Sequence, residues 1–190
     1  MLFYAKRIIS FLFSPAFLFC IGLFILILYA LRTESNFLSI NRVFKDYKSI
    51  FSQAKKHLLI FWGIPALFAI ALTQISTLSE TVSESILVFL SILIAAYFSL
   101  LSILVSQQGF QNVCENYKRV LKESASIVLL EIILCIFAII ITLATMILES
   151  GIPAWLMQII SFTDYYLIFI MLLNTLILIK RIKALIDNTN

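Results

Sequence analysis

Between Ile86 and Val105 the chain runs 20 residues without a charged side chain. Wound as a helix at about 1.5 Å per residue, such a run is ~30 Å long, the thickness of a bilayer's hydrocarbon core. Other apolar stretches recur along the chain, at about 8–31, 57–76, 126–148 and 154–179. In hydrocarbon the backbone must satisfy its own N–H and C=O groups, so a spanning segment is either a helix or a strand of a closed barrel. The runs are unbroken where a barrel strand would alternate apolar and polar residues, which selects the helix. With 62% hydrophobic and 13% charged residues and only 4 Gly and 3 Pro, the chain has little material for long loops. The expected fold is an all-α integral membrane protein. It is a single domain, 1–190, forming a four- to five-span helical bundle with short outer turns and basic cytoplasmic segments.

Charge placement orients the bundle. Apart from Lys6 and Arg7, every Lys and Arg lies in residues 32–56, 118–122 or 180–183. The turns 77–85 and 149–153 carry only Glu. The positive-inside rule therefore puts 32–56, the 107–125 hairpin and the C-terminus in the cytoplasm and the two acidic turns outside, giving a multi-pass membrane protein with a cytoplasmic C-terminus. Within 41–56, Phe44, Tyr47, Ile50 and Phe51 share one helical face while Arg42, Lys45 and Lys48 take other sides, as in a helix lying on an anionic leaflet. With Lys118, Arg119 and Lys122 of the hairpin, these cations are candidates for lipid contact or for docking a soluble cytoplasmic partner.

The first run, 8–31, exceeds the usual apolar core of a signal peptide, and no A-x-A site follows it, so a span is expected. Full crossing places the N-terminus outside. The alternative is a bent or half-inserted segment broken at Pro15. Trp62 and Trp155 are expected interfacial anchors. The last run is either one span, with Asp164 about 16 Å from its outer end by helix rise, or a short interfacial helix followed by a span that Asp164 caps.

One helix carries a distinct face. Ser91, Ala95, Ser99, Ser102 and Ser106 fall within a wedge of roughly 80° at 100° per residue. Small-residue stripes let helices approach closely, and the same hydroxyls could line a pore at the axis of a homo-oligomer. Two acids lie within the spans, Glu131 and Asp164. A charge at a helix centre costs about 2.5–3.5 kcal/mol on insertion scales, so each needs a partner or a task. Glu131 could pair with Lys122 or Lys180, or belong to an ion pathway. Asp164 could cap a helix, hold a structural hydrogen bond or titrate. Gln74, Thr142 and Thr145 suit interhelical hydrogen bonds.

Enzyme, cofactor and metal signatures are not found. Cys20, Cys114 and Cys135 are dispersed, His57 is the single histidine, and no HExxH, GxSxG or GxxxxGK[ST] occurs. The basic residues sit beside apolar spans, not among base-stacking aromatics, which excludes direct nucleic-acid binding. Three functions fit: a sensor or scaffold subunit with a cytoplasmic partner, a channel-like oligomer, or a small transporter with broken helices and a midplane pocket.

In layout, residues 57–181 resemble the bacterial Rex-type phage-exclusion membrane protein. The shared parts are a small-residue helix such as SILIAAYFSLLSILVS, a basic loop, an outer turn with Ile152-Pro153 and a final apolar span. Size and layout are also similar to the membrane subunit of the Kiwa phage-defence system, which works with a soluble partner. The first span and its amphipathic follow-on are extra relative to the Rex type. The resemblance implies an antiviral role at the membrane, by ion leakage or by sensing and recruitment, and carries over no site residue.

A cysteine placed at residue 2, in a background with the three native cysteines replaced by serine, should react with an impermeant maleimide on intact spheroplasts. Labelling only after permeabilisation would overturn the five-span topology.

Overall fold

The computed structural model describes residues 55–107, 115–148 and 153–187, with the single helical positions Ile21, Gly22 and Ile25. The expected first span, most of the amphipathic segment with Arg42, Lys45 and Lys48, and the apex of the basic hairpin lie outside the described residues. So do Cys20 and Cys114.

The described chain forms four helices: α1 Lys55–Ile75, α2 Glu80–Gln107, α3 Glu115–Leu148 and α4 Ala154–Asp187. No strand occurs among the described residues. Three helices, α2, α3 and α4, are long and apolar enough to cross a membrane. The apolar part of α1 within the described residues, Trp62–Ile75, is shorter. The protein is thus a helical membrane protein. α1 passes through Pro65 without a break, as spans tolerate when neighbouring groups satisfy the freed carbonyl. α2 starts on Glu80, an acid placed where the helix dipole is positive. α4 starts directly after Pro153, whose carbonyl accepts hydrogen bonds from the N–H groups of Leu156 and Met157 at 2.9 and 3.1 Å.

Within the basic hairpin, residues 115–125 are the opening turns of α3, continuous with its span. The last run is not broken, because α4 is one helix of 34 residues. Asp164 therefore caps nothing.

The helices pack in the order α1–α4–α3–α2. Sequence neighbours α2 and α3, and α3 and α4, lie side by side as antiparallel pairs. α1 instead packs on α4, with Phe68 stacked on Phe169 at 5.1 Å between ring centroids. The α1–α2 turn is pinned there as well: the Leu78 N–H donates to Ser161 Oγ at 3.0 Å, and the Tyr165 hydroxyl donates to the Ser76 carbonyl at 3.2 Å. Leu78 is buried, so its N–H would otherwise lack a partner.

The α3–α4 register is regular. Along α3, residues 123, 131, 135 and 142 meet residues 181, 174, 171 and 164 of α4. The α3 side of this seam, Glu131, Cys135, Ala138, Thr142 and Thr145, advances by four, three, four and three, the 3.5-residue period of left-handed helix pairs. α2 meets α3 through Ser83, Leu90, Tyr97 and Leu104, all buried and spaced by seven. Ala138 is fully buried at the seam's narrowest side chain. Ala138→Leu should lower stability by about 1–3 kcal/mol through overpacking, whereas Ile136→Leu on the exposed face should leave it unchanged, as read by thermal unfolding in detergent or nanodiscs.

Candidate functional site

Hydrocarbon offers no water to a polar side chain, so polar groups within the spans must find one another. α3 and α4 bring theirs into the seam. Glu131 and Asp164 are both 0% exposed, and Asn174, Thr142, Thr145 and Ser161 are buried with them.

Around Glu131 three helices converge. Asn174 of α4 donates from Nδ2 to Oε1. The Tyr97 hydroxyl of α2 lies 3.4 Å from Oε2 and 2.6 Å from Thr175 Oγ1 of α4. Thr175 in turn reaches the Met171 carbonyl at 2.8 Å. Neither Lys122 nor Lys180 takes part. The cation-acid contact in this part of the bundle is instead Arg181 with Glu123, at the partly exposed basic end. A partly exposed pair of that kind is worth about 0–1 kcal/mol. It lies seven residues beyond Asn174 on α4, or about 10 Å.

Around Asp164 the shell is thinner. Thr142 Oγ1 lies 2.9 Å from Oδ2 and equally 2.9 Å from the Ala138 carbonyl. Oδ1 has no hydrogen-bond partner. Thr145, expected to bond across helices, bonds back to the Thr142 carbonyl of its own helix at 2.7 Å. Gln74 is exposed. On α4 Asp164 lies three residues, roughly 4.5 Å, from the level where Ser161 holds the α1–α2 turn. Glu131 and Asn174 lie about 15 Å further in by helix rise. Between the two acids, Cys135 points its thiol at Met171 Sδ, 3.3 Å away. Cys135 is free and buried. No group of three metal-ligating side chains occurs among the described residues.

The small-residue stripe is not part of this seam. Ser91, Ala95, Ser99, Ser102 and Ser106 are all exposed on the single chain. At 100° per residue the stripe's centre is about 150° from that of the buried face of α2. The hydroxyls of Ser91, Ser102 and Ser106 donate to carbonyls of their own helix, Leu87, Phe98 and Ile103, at 2.7–3.0 Å. Among the cationic candidates, Lys118, Arg119 and Lys122 are exposed on the first turns of α3. Trp62 and Trp155 are exposed, as interfacial side chains are. A groove of about 380 Å³ separates α1 and α2 above α4, lined by Leu72, Val82, Ile86, Phe169 and other mostly apolar side chains.

Sequence reasoning finds both acids but misses Tyr97 and Thr175. The signal for Tyr97 is present in its seven-residue spacing with Ser83, Leu90 and Leu104. Thr175 carries no such mark until its neighbours are placed. The chain matches no family model, no curated protein and no solved structure.

Removing the Asn174 amide leaves Glu131 Oε1 without this donor. In a double-mutant cycle, Asn174→Leu and Glu131→Leu should couple by about 0.6–1.7 kcal/mol, the range of interhelical hydrogen bonds in membranes. Equilibrium unfolding of the four proteins in mixed micelles measures it, and additive effects would show that the contact contributes nothing.

Proposed function

We propose that this protein is a small bacterial inner-membrane subunit that assembles with further copies of itself. In this reading its C-terminus is cytoplasmic, and it serves as a membrane sensor or scaffold for a soluble cytoplasmic partner in phage defence. The observation that carries assembly is the outward-facing stripe of α2. Among the described residues the stripe is exposed, while the buried polar side chains lie on other faces, so the stripe is available to another helix. Three of its serines spend their hydrogens on their own helix, which leaves a narrow, satisfied surface suited to close approach. The antiviral setting rests on the resemblance in layout to the Rex-type and Kiwa membrane proteins. The exposed cations Lys118, Arg119 and Lys122 supply the partner-facing or lipid-facing surface.

A channel-like subunit is the second reading. The back-bonded serines keep lone pairs that could face ions if copies of α2 surround an axis. The transporter reading is the weaker alternative: it calls for broken helices and a midplane pocket, and the helices run unbroken through Pro65 and through Asp164.

Ser99 is exposed at the middle of the stripe, so Ser99→Leu should spare the subunit fold and weaken self-association at least about tenfold, or 1.4 kcal/mol. Light scattering of the purified protein in nanodiscs and amphipols reads this. Wild-type expression should lower phage plating efficiency, and the same substitution should abolish that drop. Ion flux from liposomes containing intact oligomer would select the channel-like reading; intact oligomer without flux would select the scaffold. Unchanged self-association in Ser99→Leu would show that the stripe faces lipid.

A further inference from the structure

Glu131 has one firm donor, Asn174 on Oε1, and Asp164 has one shared donor, Thr142 on Oδ2. Thr175 has one hydroxyl hydrogen and lies 2.8 Å from the Met171 carbonyl. With that hydrogen given to Met171, the 2.6 Å contact with Tyr97 must be donated by Tyr97. Tyr97 then has none left for Glu131, whose Oε2 is 3.4 Å away. A hydroxyl donating to an ionised carboxylate closes to about 2.5–2.7 Å, far shorter than this contact. A hydrogen carried on Glu131 Oε2 and aimed at the Tyr97 oxygen needs no second hydrogen from Tyr97, whereas an ionised Glu131 would rest on Asn174 alone.

Asp164 repeats the pattern. Thr142 has one hydrogen and two acceptors at 2.9 Å, the Ala138 carbonyl and Asp164 Oδ2. An ionised Asp164 would hold one shared donor at Oδ2 and none at Oδ1, with no exposure to water. A carboxyl hydrogen on Oδ2 donates to Thr142, frees Thr142 to bond Ala138, and leaves only a neutral carbonyl oxygen unpaired.

We propose that Glu131 and Asp164 are two proton-binding sites within the α3–α4 seam, each a carboxylic acid whose hydrogen points at a hydroxyl oxygen. From Glu131 the hydrogens then run in one direction, to Tyr97, to Thr175 and to the Met171 carbonyl. The surroundings agree from every side. Facing Glu131 are Tyr97 on α2, Asn174, Thr175 and Met171 on α4, and Cys135 one turn along α3; none is a cation. Facing Asp164 are Thr142 and Thr145 on α3, while the adjacent Tyr165 directs its hydroxyl to Ser76 in the α1–α2 turn. Glu80 and Glu84 are exposed on α2. The cation Arg181 is engaged by Glu123, eight residues or about 12 Å along α3 from Glu131.

The ligand is the proton, so the test reads the carboxyl group directly. The full chain in nanodiscs at pH 7 should show an infrared carbonyl stretch of protonated carboxylic acid. Labelling with ¹³C-glutamate should shift the part belonging to Glu131, and labelling with ¹³C-aspartate the part belonging to Asp164. The ester carbonyls of the nanodisc lipids absorb in the same region but carry no label, so they cancel in the labelled-minus-unlabelled difference. Glu131→Gln and Asp164→Asn should each remove one component while keeping the fold, because an amide can donate where the carboxyl hydrogen did. Should a variant fail to fold, the isotope shifts in the wild type decide alone. A band absent at pH 7, or one that neither label shifts, would overturn the proposal.

Discussion

The α3–α4 seam is governed by the absence of water. Glu131 sits at 0% exposure on a helix whose neighbours are almost all aliphatic, and a bilayer supplies no solvent to substitute for a lost partner. Its contacts with Asn174 and Tyr97 tie α3 to α4 and to α2 at one height. A slip of one residue would turn the acid away from these partners. Apolar packing alone could not fix the register so tightly, because lipid tails and leucine side chains are chemically alike and a shifted helix loses little.

From this constraint follows the division of α2 into two faces. The face built on Ser83, Leu90, Tyr97 and Leu104 is committed to α3. The small residues stand about 150° around the helix. The same helix thus joins the subunit's interior through one tyrosine and presents its serines outward. α1 is arranged differently: it docks on α4, with the turn after it held by Ser161 and Tyr165. α4 therefore lies between α1 and α3 and carries most of the polar side chains that secure the other helices.

Much of the fold is legible in the sequence. The apolar runs name the helices because a bilayer fixes span length to about 20 residues. Gly151 and Pro153 mark the restart at α4. Glu131 and Asp164 announce themselves because acids in apolar runs are costly. Their partners do not. Opposite charge at a similar depth suggests Lys122 or Lys180 for Glu131, yet an amide and a phenol take that place, and Arg181 goes to Glu123. Asp164 has two readings at the sequence level, because a helix break and a continuous helix leave the same residues in place. Tertiary packing removes the first: Asp164 is closed in against Thr142.

The sequence by itself determined that this chain is helical, that it belongs in a membrane and that two acids lie within its spans. These are local properties, set by hydropathy along a few turns and by the cost of unpaired backbone in hydrocarbon. Only the tertiary structure decided which groups share their hydrogens and which face of α2 stays exposed among the described residues. Helical periodicity defines the faces of one helix but not which neighbour meets them, and here α1 joins α4, not the helix that follows it in sequence.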